Sequence, residues 1–323
     1  MNDPDKAPAF RLAEAGYDVW LGNNRGTTFS RKHEAFDAKK DRNFWDFSFA
    51  ELGMYDATAQ IDYVREVTGL AKVAYIGHSQ GTTQMFYALA KKAAMGRGTA
   101  EGFWKERISI FVALNPVVSF RNTEQSLIKW ASKLTRVFGW PVLKYAMFPS
   151  IMTRGQSDGH LDADVYDHFF APVKNFMPFY YVLEEFVESR FNPSNSKYWV
   201  RQYRQGHFPN GASFKSIVHY GQLFDSGQFT EFDYGRERNS DPSLYGSPKP
   251  PQIDLTKIED IPIALFVADQ DTFASLADAR WLREQLRGVE VYYEEYQGSH
   301  TSFQLGLDMS YFENVLTLLE EHL

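Results

Sequence analysis

Hydrophobic runs bounded by turn residues alternate along this chain with amphipathic, helix-like segments. Apolar and aromatic runs predict strands at residues 17–23, 73–79, 108–118, 261–271 and 289–296. The intervening patterns predict helices over residues 8–15, 46–67, 82–93 and 276–288, and a last helix at the C terminus. Strands that alternate with helices predict an α/β protein with a mostly parallel sheet and helices on both of its faces.

The segment between the third and fourth of these strands is too long for a simple crossover connection. Residues 120–248 are rich in aromatic residues, Pro and Met, and they show helical fragments without strand alternation. We therefore predict a mainly helical cap, or lid, inserted at one end of the sheet. The first part of the α/β core would span residues 1–119, the cap residues 120–248, and the second part of the core residues 249–323.

Composition excludes several classes of protein. The 323 residues are 44% hydrophobic and 23% charged, which favours a packed core over general disorder. The net charge of -7 argues against a nucleic-acid partner, because phosphate binding requires a basic surface. The absence of cysteine rules out disulfides, thiolate catalysis and zinc–thiolate sites. No apolar run approaches the roughly 20 residues that span a bilayer, and the first ten residues lack the apolar region of a signal peptide.

The most specific motif lies at the junction between a predicted strand and a predicted helix. Gly77-His78-Ser79-Gln80-Gly81 matches G-x-S-x-G, in which a serine occupies a tight, strained turn above the sheet. We expect Gly77 and Gly81 to be glycines because side chains there would collide across the turn. Ser79 is the predicted nucleophile, and the backbone N–H of Gln80 the predicted oxyanion donor. His78 is expected to point away from the site and to be structural.

A serine nucleophile requires a base, and the base requires a carboxylate that orients it. In α/β-hydrolases these residues follow the serine in the order acid, then histidine. Asp269 and Asp271 both stand at the end of the fourth predicted strand. Asp271 lies further into the loop and is the preferred acid, although either residue could instead form a turn or cap the following helix.

The order rule also selects the histidine. Among the eight histidines, one lies in a loop directly after the last predicted strand, within Gly298-Ser299-His300. His300 is therefore the predicted base. The others lie before the acid, in the predicted cap or next to the C terminus: His33, His78, His160, His168, His207, His219 and His322.

These motifs together resemble the acid lipase family, which includes gastric and lysosomal acid lipases and steryl ester hydrolases. The segments that carry the resemblance are residues 12–26, 44–64, 75–86, 210–235, 268–275 and 298–303. The resemblance implies an α/β-hydrolase fold with a lid, and a serine ester hydrolase acting on triacylglycerols or steryl esters without metal or cofactor. It also implies a secreted, lysosomal or other endomembrane or lipid-droplet location.

The chain departs from the family pattern in three respects. The family has a His-Gly-Leu stretch before the first helix, whose backbone supplies a second oxyanion donor, and this stretch and the early strands are expected to be missing here. Loss of one donor costs on the order of 100- to 1000-fold in rate. The expectation is therefore an N-terminally truncated chain. Cysteines are absent, and Ala212 stands where the family has threonine.

Aromatic residues of the predicted cap are candidates for contact with lipid. Two segments, residues 140–152 and 168–191, concentrate Phe, Tyr, Met and Pro, which adapt to flexible acyl chains. The candidate substrate-binding residues are Phe148, Phe169, Phe176 and Tyr180. The outer face of the cap is expected to meet a lipid–water interface or membrane surface. Packing of the cap against the core is the alternative explanation for these residues.

Other functions stay open at this level. A thioesterase, a peptidase or a short-chain esterase could use the same fold, because fold does not fix substrate. If the oxyanion hole is incomplete, the chain could instead be a catalytically impaired lipid-binding protein.

Overall fold

The computed structural model describes residues 2–91, 102–123, 133 and 210–323, together with the backbone of residues 150 and 151. Strands in chain order are β1 (Val73–His78), β2 (Ile108–Leu114), β3 (Ser150–Ile151), β4 (Ala212–Ser213), β5 (Ile263–Ala268) and β6 (Glu290–Tyr296). Helices are α1 (Pro8–Glu14), α2 (Phe49–Glu51), α3 (Thr58–Thr68), α4 (Gln80–Lys91), α5 (Phe214–Ser226), α6 (Arg236–Asn239), α7 (Leu276–Gln285), α8 (Ser302–Leu305) and α9 (Tyr311–His322). Two 3₁₀ turns, Arg42–Trp45 and Leu255–Lys257, and a π-helical turn, Leu52–Ala57, complete the regular structure described.

Four of these strands form one parallel sheet in the order β1-β2-β5-β6. One line of paired residues crosses all four strands, from Ile76 through Val112 and Ala264 to Tyr292. The carboxyl ends of the strands therefore lie at the same edge, where loops of an open α/β sheet build binding sites. This arrangement confirms the α/β prediction.

Alternate residues of the two inner strands enter separate hydrophobic clusters, one on each face. On β2, Phe111 and Ala113 join the cluster that includes helix α4, whereas Ile110 and Val112 join the cluster that includes α9. Because side chains alternate between the faces of a strand, this double burial requires helices on both sides. The continuous apolar runs in the sequence have this cause.

The predicted helix over residues 46–67 forms, but a π-helical turn interrupts it. Phe49, Leu52 and Ile61 are buried, whereas Val67, predicted on the same face, is exposed. A π turn uses more residues per turn than an α-helix and so rotates everything after it. Ile61 follows this π turn and is nevertheless buried, so the turn does not account for Val67. Val67 stands two steps of three residues beyond Ile61, and each such step moves a side chain about 60° around an α-helix. Gly69, with φ of 73°, caps the helix as predicted.

The predicted strand at residues 17–23 is wrong. These residues carry no strand assignment and pair with none of the strands described above. Trp20 and Leu21 are exposed rather than buried, and Trp20 packs edge-on against Tyr63 of α3. A β-strand is held by hydrogen bonds to a neighbouring strand, so an apolar run without such a neighbour does not form a strand.

Most of the predicted cap lies outside the described residues, so the domain boundaries stay a prediction. On the C-terminal side of the predicted cap, the described chain begins at Asn210. Helix α5, which follows it, is anchored to the core by buried polar contacts. Lys215, 2% exposed, places its ammonium 3.1 Å from carboxylate oxygens of Asp46 and Glu51, and donates to the Tyr234 hydroxyl at 3.0 Å. Burial lowers the pKa of Lys215, but these neighbours outweigh burial and leave the pKa raised.

A second buried contact beside Lys215 involves a neutral histidine. His219, fully buried, contacts the Ser48 hydroxyl through Nδ1 and the Thr230 carbonyl through Nε2, each at 3.0 Å. Its ring stacks on Phe49 at 4.1 Å between centroids. Burial lowers the pKa of His219 to about 3.

No helix in the described part of the chain has the length and apolar character to cross a bilayer.

The titration of His219 predicts a pH-dependent stability. Between about pH 6.5, the usual histidine pKa, and about pH 3, the unfolded chain binds a proton that native His219 does not. This residue's contribution to the free energy of unfolding therefore falls as pH is lowered, by roughly 1 kcal/mol for each pH unit. Urea denaturation at pH 4 to 7 should show a shallower pH dependence for His219→Gln than for the unsubstituted protein.

Ser48→Ala is the matched control for this measurement. It removes a hydrogen-bond partner of His219 but no titrating group. It should lower stability at every pH and keep the original slope. An unchanged slope in His219→Gln would contradict a neutral, buried His219.

Candidate active site

Ser79 occupies the sharp turn between β1 and α4. Its φ is 54°, a left-handed conformation that costs a non-glycine residue on the order of 1 kcal/mol. The turn is held by the Ser79 N–H, which donates to the Leu114 carbonyl at 3.1 Å, and by the Thr82 hydroxyl, which donates to the Ser79 carbonyl at 2.6 Å. This geometry agrees with the strained turn that the G-x-S-x-G motif predicts.

The two glycines of the motif differ in their surroundings. A Cβ on Gly77 would lie 2.8 Å from the Gly81 carbonyl oxygen, closer than real Cβ contacts allow. A Cβ on Gly81 would meet only the Tyr75 hydroxyl oxygen among the described atoms, at 3.9 Å, an ordinary contact. The expected collision is therefore found for Gly77, and the expectation for Gly81 is wrong in the described part of the chain.

His300 lies between the serine and a carboxylate. Its Nε2 is 2.6 Å from the Ser79 hydroxyl oxygen, and its Nδ1 is 2.6 Å from Asp271 Oδ2. The side chains of His300 and Asp271 are 1% and 0% exposed. The carboxylate fixes the proton on Nδ1, which leaves the Nε2 lone pair directed at the serine hydroxyl.

The structure distinguishes the two aspartates that the sequence left as alternatives. Asp271 Oδ1 accepts the backbone N–H groups of Phe273 and Ala274, both at 2.8 Å, while Oδ2 faces His300. Asp269 instead accepts the Gly298 N–H at 3.1 Å, at the start of the histidine loop. Asp271 is thus the carboxylate in contact with His300, and two amide donors stabilise its charge in a buried position.

His78 lies closer to the site than expected. Its Nε2 donates to the His300 carbonyl at 2.7 Å, and the two rings are 5.0 Å apart between centroids. Burial lowers the pKa of His78 to about 3, with a smaller contribution from His300, so the ring is neutral. The expectation that the ring points away from the site is wrong, and the structural role stays a prediction.

The backbone N–H of Gln80 begins helix α4 directly after Ser79. It has no acceptor among the described residues, and the helix N terminus beneath it favours negative charge. The position therefore suits an oxyanion donor. Behind the turn, the Tyr75 hydroxyl donates to the Gly81 carbonyl at 3.0 Å and fixes the start of the helix.

Sequence reasoning missed Phe273, two residues after Asp271. Its partly exposed ring packs edge-on against His300 at 5.2 Å between centroids and against Phe120 at 5.3 Å. The signal available was its position in the loop after the acid.

The candidate lipid contacts Phe148, Phe169, Phe176 and Tyr180 lie outside the described residues. Within the described ranges, no three His, Asp or Glu side chains converge as a metal site would require.

Comparisons with known proteins identify the family of the chain. Residues 8–146 match the family model described as alpha/beta hydrolase fold. Lipase member K of Homo sapiens is 32% identical over 329 residues, which is 100% of this chain and 76% of that protein. The chain belongs to the acid lipase family of α/β-hydrolases. Membership of this family makes it a carboxylic ester hydrolase.

Two further relatives extend the comparison. Gastric triacylglycerol lipase of Rattus norvegicus is 30% identical over 309 residues, 95% of this chain and 72% of that lipase. A crystal structure of a soluble variant of monoglyceride lipase from Saccharomyces cerevisiae, in complex with a substrate analogue, has a TM-score of 0.51. The two sequences are 14% identical, and the match covers 100% of this acid lipase family member and 83% of the yeast chain. At this identity the comparison shows a likeness of fold alone.

The contrast between the motif glycines gives a prediction. Gly77→Ala should lower the free energy of unfolding by about 1–3 kcal/mol, because the added methyl group overpacks the turn. Gly81→Ala should leave it unchanged or raise it by up to about 1 kcal/mol, because alanine favours helix α4. Chemical denaturation of both variants tests this. Equal destabilisation by the two substitutions would contradict the described packing.

Proposed function

We propose that this protein hydrolyses lipid esters through an acyl-enzyme intermediate, with Ser79 as nucleophile, His300 as base and Asp271 as the orienting acid. The observation that carries the proposal is the pair of 2.6 Å contacts that joins Ser79, His300 and Asp271 in one hydrogen-bonded line. A serine hydroxyl is a weak nucleophile unless such a base removes its proton during attack.

The reaction would run in two halves. His300 Nε2 takes the Ser79 proton as the oxygen attacks the ester carbonyl, and the Gln80 N–H donates to the oxygen that becomes negative. The same imidazolium then gives its proton to the leaving alcohol, which leaves an acyl group on Ser79. In the second half, His300 takes a proton from water, which attacks the acyl group, and the carboxylic acid product leaves as Ser79 regains its proton. Asp271 stabilises the imidazolium in both halves.

Lipid esters are the proposed substrate class, with triacylglycerols or steryl esters as the finer possibilities. A relative named for triacylglycerol, at 30% identity, supports this choice. Contact of the cap with a lipid–water interface, and lipid binding by its aromatic residues, are part of the same proposal. The proposal includes a secreted, lysosomal or other endomembrane or lipid-droplet location, as the family resemblance implies.

Active-site labelling tests the catalytic roles. A fluorophosphonate probe should phosphonylate Ser79 in the unsubstituted protein, and Ser79→Ala should remove the labelling completely. His300→Ala should reduce labelling to background, because nothing else then accepts the serine proton. Peptide mass spectrometry identifies the modified residue. A folded sample that does not label would favour a lipid-binding protein without catalysis.

The two aspartates provide a matched pair within the same test. Asp271→Asn should lower kcat by about 10⁴-fold, because the amide no longer fixes the productive histidine tautomer. Asp269→Asn keeps an oxygen for the Gly298 N–H and should change kcat by less than about tenfold. The reverse order of effects would show that the acid has been assigned to the wrong residue.

Substrate presentation distinguishes a lipase from the alternative esterases. We expect the rate on a long-chain triacylglycerol to rise when its concentration exceeds the solubility limit and the substrate forms an emulsion. Titrimetric assays on triolein emulsions and on dissolved short-chain esters, with the Ser79→Ala variant as blank, measure this. A preference for dissolved short-chain esters, or for thioesters, would favour the short-chain esterase or thioesterase reading.

A further inference from the structure

The histidine loop must reach across the sheet. His300 follows β6, the outermost strand on one side, whereas Ser79 follows β1, and β2 and β5 lie between them. The His300 side chain nevertheless makes a 2.6 Å contact with Ser79. A single loop attached at one edge would leave this contact poorly fixed, so the loop backbone needs support from the strands that it crosses.

Asn115 stands where that support is needed. It follows β2 directly, and its N–H donates to the Phe266 carbonyl of β5 at 2.8 Å. The neighbouring strand β1 ends in His78, which pairs with Leu114, so Ser79 and Asn115 leave the sheet at the same level. Asn115 is fully buried and has φ of 46°, a left-handed conformation that asparagine adopts more readily than most residues.

Its side chain connects the strand that carries the acid to the loop that carries the base. The Asn115 Oδ1 atom accepts the Ala268 N–H at 2.7 Å, at the last residue of β5 and three residues before Asp271. Nδ2 donates to the Ser299 carbonyl at 3.2 Å and to the His300 carbonyl at 2.9 Å.

The amide orientation follows from these partners. One side of the group faces an N–H donor and the other faces two carbonyl acceptors, so a flipped amide would put like groups against each other on both sides. Both Nδ2 protons and the oxygen are used. No other uncharged side chain of this size supplies two donors and one acceptor, so the position is specific for asparagine.

We propose that Asn115 is a positioning residue for catalysis, which holds the backbone of His300 at the distance that brings its ring to Ser79. The inference rests on the proposed roles of Ser79 and His300. Asn115 touches neither the serine hydroxyl nor the carboxylate of Asp271 in the hydrogen bonds described, and it acts through the peptide groups of Ser299 and His300. His78 donates to the same His300 carbonyl from the other flanking strand.

Two variants separate the functions of the amide. Asn115→Gly tolerates the positive φ and removes all three side-chain hydrogen bonds. Asn115→Asp keeps the shape and an acceptor for the Ala268 N–H, but its carboxylate cannot donate to the two carbonyls. Asn239→Gly is the matched control, because this buried asparagine bonds to Asp233, Tyr234 and Pro248, and none of these contacts the Ser79–His300–Asp271 line in the hydrogen bonds described.

The kinetic expectation is a loss in kcat with little change in KM. Displacement of a catalytic group by about 1 Å can cost about 100-fold, so Asn115→Gly and Asn115→Asp should lower kcat on a soluble ester by about 10- to 100-fold. Fluorophosphonate labelling of Ser79 should slow by a similar factor. Asn239→Gly should lose stability in urea denaturation without this loss in kcat.

A spectroscopic measurement tests the position of His300 without depending on activity. The ¹H–¹³C signals of the His300 ring, assigned by their loss in His300→Gln, should shift or broaden in both Asn115 variants. The same signals should be unchanged in Asn239→Gly. Unchanged signals in both Asn115 variants would overturn the inference, as would wild-type kcat in folded Asn115→Asp. Shifted ring signals in a protein whose Ser79 never labels would instead refute the proposed function and leave the positioning of His300 supported.

Discussion

The site depends on the parallel register of four strands. A hydrogen bond between Ser79 and His300 joins residues 221 positions apart in the chain, and its length leaves little tolerance for a shift of either strand. Register is fixed because β2 and β5 bury alternate residues in clusters on both faces, so a slip of one residue would exchange the two clusters. The core of the sheet thus sets the geometry of the chemistry at its edge.

The sequence predicted the parts of the fold and site that follow from topology. Ser79 and His300 were found because a strand-to-helix motif and a chain-order rule specify them without knowledge of packing. The chain-order rule by itself does not separate Asp269 from Asp271, because both follow the end of the same strand. Their difference lies in the loop, where the Phe273 and Ala274 N–H groups turn towards Asp271.

The predictions that failed depended on neighbours that a local pattern does not contain. An apolar run at residues 17–23 has strand composition but no strand beside it in the described part of the chain. The prediction for Val67 fails for a different reason: steps of three residues drift around an α-helix, so Val67 does not share the buried face of Ile61. Asn115 did carry a signal, a single amide at the end of a buried apolar strand, but its meaning depends on the loop that arrives from β6.

Support of the His300 backbone by neutral groups has a consequence for acidic conditions. A carboxylate that held this backbone would lose its charge as pH falls, whereas the amide of Asn115 does not titrate. The pKa of His78 is lowered to about 3, so its ring also stays neutral through mildly acidic pH and keeps its bond to the His300 carbonyl. The peptide group of His300 is therefore held by two donors that do not titrate between pH 4 and neutrality. These two hydrogen bonds therefore give the loop that carries His300 a support that does not change with pH in that range.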